Sequence, residues 1–149
     1  MADRLSAFLR KHRRVALDTS IFIYQVEAHP RYLPLTRHIF SWVERPDSQA
    51  VTSTITMTEL LVQPYKSASL GRVADYYALL ATYPNLEWIA PDLRIAHWAA
   101  QFRALHGLKT PDALQAATAI IGGAKAMITN DAAFERVGAF ETLVIERLL

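Results

Sequence analysis

Four acidic residues occupy positions in this chain where they could act together on a cation. They are Asp18, Glu59, Asp112 and Asp131, and each follows a predicted strand or begins a predicted helix. In a parallel sheet with crossover helices, strand ends and helix starts share one edge, so we expect these side chains to converge. Crowded carboxylates repel one another unless a cation neutralises them. Oxygen ligands without His or Cys suit Mg²⁺ or Mn²⁺, which can promote phosphodiester hydrolysis.

The stretch 110–131, TPDALQAATAIIGGAKAMITND, predicts how two of these acids are positioned. Thr110 can cap a helix, Pro111 suits its first turn, and the helix dipole favours an anion at Asp112. Two glycines end the helix, and a short apolar strand over 126–129 precedes Asn130 and Asp131. A helix followed so closely by a buried strand is typical of half a βαβ unit.

Each acid also has a purely structural interpretation, because acidic side chains commonly stabilise helix starts. Asp18 and Asp131 could be N-caps, Thr56 and Glu59 could form a capping box, and Asp112 could interact with the helix dipole alone. The metal interpretation depends on a strand order that places all four acids at one edge. Both interpretations stay open from the residues alone.

The rest of the chain alternates strand and helix patterns. After a helix over 3–12, strands are predicted at 15–17, 49–55, 86–90 and 142–145, with helical periodicity between them and Pro64 limiting the helix after the second strand. This alternation predicts an α/β fold, a three-layer α/β/α sandwich around a central, mostly parallel sheet. We expect one domain over residues 1–149, with residues 1–14 as an N-terminal helical extension.

Composition excludes several classes of protein. The 149 residues are 52% hydrophobic and 20% charged, which argues against a disordered chain, and the absence of cysteine excludes disulfides and thiolate chemistry. The glycines form neither a phosphate-binding loop nor a dinucleotide fingerprint, and Ser20 lacks the glycine-flanked elbow of a hydrolase nucleophile. No apolar run reaches membrane-spanning length, so we expect a cytoplasmic protein with no membrane partner.

Basic residues cluster near the N-terminus of a chain whose net charge is only +2. We interpret them as a solvated helical face rather than a nucleic-acid-binding arm. The residues concerned are Arg4, Arg10, Lys11, Arg13 and Arg14.

Four segments, taken in order, resemble the motifs of a known family. LDTSIFIY, TELL, TPDALQAATAI and MITND are similar to the motifs of PIN-domain ribonucleases, above all the VapC-type toxins of toxin–antitoxin pairs. The similarity covers roughly residues 15–145. It implies a Mg²⁺- or Mn²⁺-dependent endoribonuclease with a central parallel sheet, an RNA substrate, frequent homodimers and inhibition by a cognate antitoxin.

The resemblance also assigns roles to individual residues. It makes Asp18, Asp112 and Asp131 the main metal ligands, and Glu59 a further ligand or a base that orients the attacking water. Ser20 departs from the Asn that many members have, but its hydroxyl can still donate a hydrogen bond. The implied supporting polar residues are Thr19, Ser20, Thr129 and Asn130. Lys109 and Arg103 are candidate phosphate contacts, although both also suit solvated helix ends.

These observations predict a metal-dependent endoribonuclease of toxin type. Two alternatives stay open: a non-cleaving PIN-like module that binds RNA or protein, and a DNA nuclease that uses the same acids. For the antitoxin, we expect an apolar groove between two helices, or else ordinary core packing of the same residues. The groove residues would be Ile21, Phe22, Tyr24, Leu60, Leu61 and Val62.

Overall fold

The computed structural model describes residues 2–149. Within them, five strands alternate with seven α-helices, and two short 3-10 helices lie near the C-terminus. The strands are β1 (Arg14–Leu17), β2 (Gln49–Ser53), β3 (Leu86–Ile89), β4 (Ala126–Thr129) and β5 (Glu141–Val144). The helices are α1 (Ala2–Lys11), α2 (Thr19–Val26), α3 (Leu33–Val43), α4 (Thr54–Lys66), α5 (Leu70–Ala81), α6 (Leu93–His106) and α7 (Thr110–Ile121). The 3-10 helices span Ala132–Arg136 and Ile145–Leu148.

The strands form one sheet in the order β3-β2-β1-β4-β5. All four pairings within the described chain are parallel, so the predicted mostly parallel sheet is parallel throughout. The chain adds β2 and β3 on one side of β1 and then crosses to add β4 and β5 on the other. The crevice above the carboxyl ends of β1 and β4 is therefore the topological switch point, where sheets of this kind bind ligands.

Two separate apolar cores cover the two faces of the sheet, which confirms the predicted three-layer sandwich. Val15 and Leu17 of β1 point into a core built with α1, α2, α3 and α4. Ala16, between them, points into a second core built with α6 and α7. Strand residues alternate between faces, so two layers of helices bury both sides of a strand only a few residues long.

Small residues let α7 lie close against the sheet. Ala113, Ala116 and Ala117 are fully buried on this helix. At its end, a Cβ on Gly122 would come within 2.9 Å of the Ile89 side chain and 2.8 Å of the Thr118 carbonyl, so glycine is required there. This close packing holds the N-terminus of α7 above the carboxyl edge of the sheet.

Some predicted helix boundaries are wrong by a few residues. β2 ends at Ser53, whose hydroxyl accepts a hydrogen bond from the Ile55 amide and caps α4, so the capping box of Thr56 and Glu59 does not form. α4 also continues past Pro64, which is buried, to Lys66. Tertiary packing outweighs the one backbone hydrogen bond that proline removes.

The first turn of α7 also differs from the prediction in one detail. Its N-cap residue is Lys109 rather than Thr110, which already belongs to the helix. Pro111 and Asp112 still lie in the first turn, as predicted.

Two of the basic N-terminal residues, Lys11 and Arg14, make contacts at the amino end of the sheet, away from the crevice. Lys11 pairs with Glu141 at 2.8 Å, and Arg14 donates to the Gly122 carbonyl at 2.6 Å. These contacts support the interpretation of a structural, solvated face. Among the described helices, none has the length and apolar character that crossing a bilayer requires.

Candidate active site

Asp18 is held at the end of β1 by two hydroxyl groups from different parts of the chain. Ser20 Oγ donates to its Oδ1 at 2.6 Å, and Thr129 Oγ1, at the end of β4, donates to its Oδ2 at 2.5 Å. The side chain makes no capping hydrogen bond to α2, although Asp18 stands at the N-cap position. Because both oxygens accept hydrogen bonds from side-chain hydroxyl groups, one of them on a neighbouring strand, the N-cap interpretation does not explain this carboxylate.

Burial dominates the electrostatics of Asp18. The residue is only 7% exposed, and its desolvation raises the pKa from 3.8 to about 6. Hydrogen bonds from Ser20 and Thr129 act in the opposite direction, and the negative charge of Asp112 adds to the increase. Ionising this carboxyl is therefore unfavourable unless a positive charge lies beside it.

Asp112, half-buried in the first turn of α7, interacts with the two remaining acids. Burial is the largest cause of its raised pKa. The negative charges of Asp131 and Glu59 raise this pKa further, and the positive charge of Lys109 lowers it. Asp112 thus couples electrostatically to each of the other three acids. The parallel topology has brought four carboxylates from distant parts of the sequence into one electrostatic cluster.

Glu59 and Asp131 complete the cluster from its exposed side. Glu59 lies in the second turn of α4, and its Oε1 accepts a hydrogen bond from Thr19 Oγ1 at 2.6 Å. Asp131 Oδ1 accepts from the Ala133 amide at 2.9 Å and caps the first 3-10 helix. The N-cap interpretation is therefore correct for Asp131, which still has a second carboxylate oxygen.

One open cavity of about 620 Å³ has all four acids in its wall. The supporting residues predicted beside them divide into two groups. Thr19, Ser20 and Thr129 bond directly to an acid, whereas the Asn130 amide donates to the Tyr24 hydroxyl at 3.1 Å. The other side chains of the wall are Thr19, Ser20, Ile23, Tyr24, Gln115, Asn130 and Ala132.

Gln115 and Tyr24 are wall residues that the sequence reasoning did not assign to the site. Gln115 is 3% exposed and follows Asp112 by almost one helical turn on α7. A lone amide among the buried alanines of that helix was the available signal. The two candidate phosphate contacts, Lys109 and Arg103, are not part of the cavity wall.

The cavity suits a divalent cation by its chemistry. It carries four carboxylates, and among residues 2–149 no Lys, Arg or His side chain lines it. Lys109, outside the wall, offsets only part of this negative charge through its effect on Asp112. An all-oxygen donor set of this kind matches Mg²⁺ or Mn²⁺. Across residues 2–149, however, no three acidic or histidine side chains are already arranged to hold an ion. The carboxylates surround the cavity without meeting at one point.

Comparison with known proteins agrees with this fold. A VapBC2 complex from Rickettsia felis bound to promoter DNA aligns with a TM-score of 0.67 at 19% identity, covering 87% of this chain and 97% of that chain. VapC20 from Mycobacterium tuberculosis, a sarcin-ricin loop cleaving toxin, aligns with a TM-score of 0.67 at 15% identity, covering 83% and 95%. VapBC-1 from nontypeable Haemophilus influenzae aligns with a TM-score of 0.67 at 20% identity, covering 87% and 96%.

At these identities the structural similarity establishes the fold, and the sequence itself identifies the family. No curated protein sequence matches the chain at a significant level. The family model of the PIN domain matches residues 15–139, which contain all four acids and both walls of the crevice. The chain therefore belongs to the PIN domain family.

Proposed function

We propose that this protein is a metal-dependent endoribonuclease that acts as the toxin of a toxin–antitoxin pair. The observation that carries the proposal is the cavity with four carboxylates and no cationic side chain in its wall. Such a wall repels a phosphodiester unless a cation is bound. The PIN family match and the similarity to VapC20, which cleaves the sarcin-ricin loop, support nuclease chemistry and an RNA substrate.

In this proposal, each acid has a role that follows from its surroundings. Asp18 is buried and held by Ser20 and Thr129, so its carboxylate would be a rigid ligand at the base of the site. Asp112 and Asp131 would hold the cation from the rim. A bound Mg²⁺ or Mn²⁺ would supply the positive charge that phosphodiester hydrolysis requires. Glu59, held by Thr19, would be a further ligand, directly or through water, or would orient the attacking water.

A cleavage assay tests the proposal directly. Purified protein should cut RNA with Mg²⁺ or Mn²⁺ and stop cutting in EDTA, because the carboxylates alone cannot bind a phosphodiester. Asp18→Asn should lower cleavage by about a thousandfold. Asp75→Asn, which changes an exposed acid on α5, should leave cleavage intact. Cleavage that survives thorough chelation would contradict the mechanism, and a preference for DNA would favour the DNA-nuclease alternative.

The non-cleaving module remains a second candidate because no three acids are already arranged to hold an ion among the described residues. A protein of that kind would bind RNA or a protein partner in EDTA and would leave RNA intact with Mn²⁺. Binding and cleavage measured on one labelled RNA would separate the two functions.

We further propose an antitoxin partner, supported by the VapBC toxin–antitoxin complexes among the structural neighbours. Of the two interpretations of α2 and α4, core packing is correct for Ile21, Phe22 and Leu60, which are buried and cannot line a groove. Leu61 instead contributes to an apolar surface groove of about 430 Å³ between α4, α5 and β3. An amphipathic antitoxin segment could bury its apolar face in that groove.

Expression in a bacterial host tests the toxin role. The protein should arrest growth alone, and co-expression of the neighbouring antitoxin gene should restore growth. If the folded protein accumulates without slowing growth, the toxin role is contradicted, but the proposed nuclease chemistry is not. Dimerisation, which the family resemblance implies, stays a prediction that light scattering would test.

A further inference from the structure

A buried network of hydroxyl and amide groups joins α2, α4 and α7 behind the acidic cavity. Gln115 Nε2 on α7 donates to Thr56 Oγ1 at 2.7 Å and to Thr19 Oγ1 at 3.3 Å. Thr56 also contacts Thr52 Oγ1 at 2.8 Å, and Thr52 donates to the Leu17 carbonyl at 2.9 Å. Gln115, Thr52 and Thr56 are all at least 97% buried, so water does not substitute for these partners.

The two acceptors at the ends of this network determine the direction of every hydrogen bond in it. The Leu17 carbonyl only accepts, so it takes the single hydroxyl hydrogen of Thr52. Thr52 must then accept from Thr56 at their 2.8 Å contact. At the other end, the Glu59 carboxylate takes the hydrogen of Thr19.

Both Thr56 and Thr19 have therefore used their own hydrogens, so neither donates at their mutual 3.2 Å contact, and both accept from Gln115. The Nε2 amide group carries two hydrogens and is the one end of Gln115 that can satisfy both threonines. This assigns the orientation of the amide from the network itself. One hydrogen supports the branch to Leu17, and the other supports the branch to Glu59.

We propose that Gln115 is a positioning residue for the nuclease reaction, a role that rests on the proposed function. By donating to Thr19, it leaves the Thr19 hydroxyl hydrogen directed at Glu59, at 2.6 Å. Glu59 is an exposed residue, and without this hydrogen bond its long side chain could adopt several rotamers. The network thus holds one carboxylate of the cavity in place from a residue on the opposite helix.

Four variants of the full-length protein test this role. Gln115→Met keeps the volume and removes both hydrogens, and Thr19→Val removes the hydroxyl that bonds Glu59. Thr56→Val removes the branch that leads to Leu17 together with the 3.2 Å contact between the Thr56 and Thr19 hydroxyl groups. Thr118→Val is the matched control, because Thr118 is equally buried on α7 and donates only to the Leu114 carbonyl of its own helix.

With Mn²⁺ and RNA at saturation, Gln115→Met should lower kcat by about 10- to 100-fold and change KM by less than about twofold. In the Thr19→Val background, the same substitution should lower kcat by less than about twofold, because the link to Glu59 is already broken. Thr118→Val should reduce thermal stability and leave kcat close to wild type. Thr56→Val should lower kcat less than Gln115→Met does, because Gln115 can still donate to Thr19. An equal loss of kcat from Gln115→Met in both backgrounds would overturn the role, as would an unchanged kcat.

A nuclear magnetic resonance measurement on the metal-free protein separates this inference from the nuclease function. Both side-chain amide hydrogens of Gln115 should exchange slowly with solvent. Thr19→Val should accelerate the exchange of one of them, whereas Thr118→Val should accelerate neither. Fast exchange in wild type would overturn the network. Slow exchange in a protein that never cleaves RNA would leave the network in place and would overturn the proposed function, together with the catalytic part of the positioning role. If Gln115→Met does not fold, Gln115→Leu, which also removes both hydrogens and adds no charge to the cavity, gives the same comparison.

Discussion

The two ends of the sheet treat acidic residues in opposite ways. At the amino end, Glu141 is paired with Lys11 and His12, whose hydrogen bonds lower its pKa, and Glu87 is paired with Arg14 at 3.0 Å. At the carboxyl end, burial raises the pKa of Asp18 and of Asp112, and within the described part of the chain no cationic side chain lines the cavity between them. The ionised form of an acidic side chain is therefore stabilised at one end of the sheet and destabilised at the other.

This difference distinguishes acids that are already paired within the fold from acids that would be stabilised by a bound cation. An exposed acid that pairs with a lysine contributes little to the free energy of unfolding, and its charge needs no further partner. A buried carboxylate among other carboxylates costs stability until a cation binds, and such perturbed groups are concentrated at functional sites. Asp18→Asn and Glu141→Gln each remove one carboxylate, one at either end of the sheet, and their effects can be compared.

Cleavage should show the largest contrast between the two ends. Asp18→Asn should lower RNA cleavage by about a thousandfold, near 4 kcal/mol of transition-state stabilisation, because it removes a proposed ligand charge. Glu141→Gln, which also removes one carboxylate, should leave the rate unchanged. Single-turnover assays with Mn²⁺ would measure both, and equal activity in the two variants would remove Asp18 from the site.

Cation binding should give the next largest difference. A ligand that binds only the folded state adds about 2.7 kcal/mol of stability at about 100 times its Kd. Wild type and Glu141→Gln should both melt at higher temperature with millimolar Mn²⁺, and Asp18→Asn should gain much less. Melting curves with EDTA and with Mn²⁺ provide the comparison. A full Mn²⁺ shift in Asp18→Asn would show that the cation binds without this carboxylate.

Without metal, Asp18→Asn should be more stable than wild type above neutral pH. The folded pKa of about 6 exceeds the ordinary 3.8, so the folded protein binds this proton more tightly than the unfolded chain. The wild-type free energy of unfolding therefore falls as pH rises through this range, and asparagine has no such loss. We expect an advantage of about 1–2 kcal/mol at pH 8, because asparagine accepts one hydroxyl fewer and recovers only part of the cost.

Urea unfolding in EDTA at several pH values measures this difference. The advantage of Asp18→Asn should shrink between pH 8 and pH 5, where the wild-type carboxyl takes up its proton. A constant difference across this range would mean that burial does not perturb Asp18.

The smallest effect should come from the amino end. Glu141→Gln should change the free energy of unfolding by no more than about 0.5 kcal/mol, because exposed ion pairs are screened by solvent. The lowered pKa of Glu141 means that even this contribution is present above its ordinary pKa of 4.5 and is lost as pH falls. Urea unfolding at low and high salt would detect it, and a loss above about 1 kcal/mol would contradict the contrast.

Local sequence patterns were sufficient for the fold and for the position of the acids. Alternating strand and helix periodicity predicted the three layers, and residues after short apolar strands predicted that Asp18 and Asp131 would share an edge. This succeeded because the parallel βαβ arrangement assigns every strand end to the same side of the sheet. The motifs that resemble PIN-domain ribonucleases identified the same four acids.

The side-chain environment of the acids was decided by the tertiary structure. Thr129 reaches Asp18 across 111 positions of the chain, and Gln115 reaches Thr19 across 96. Periodicity describes which face of an element is apolar, so it had no means of distinguishing Gln115 from its buried alanine neighbours. It also made Ile21, Phe22 and Leu60 candidates for a groove, although the packing of α2 and α4 on the sheet buries them completely or nearly so. Hydrogen-bond partners and burial depend on which elements meet in space, and those contacts form between residues that are remote in sequence.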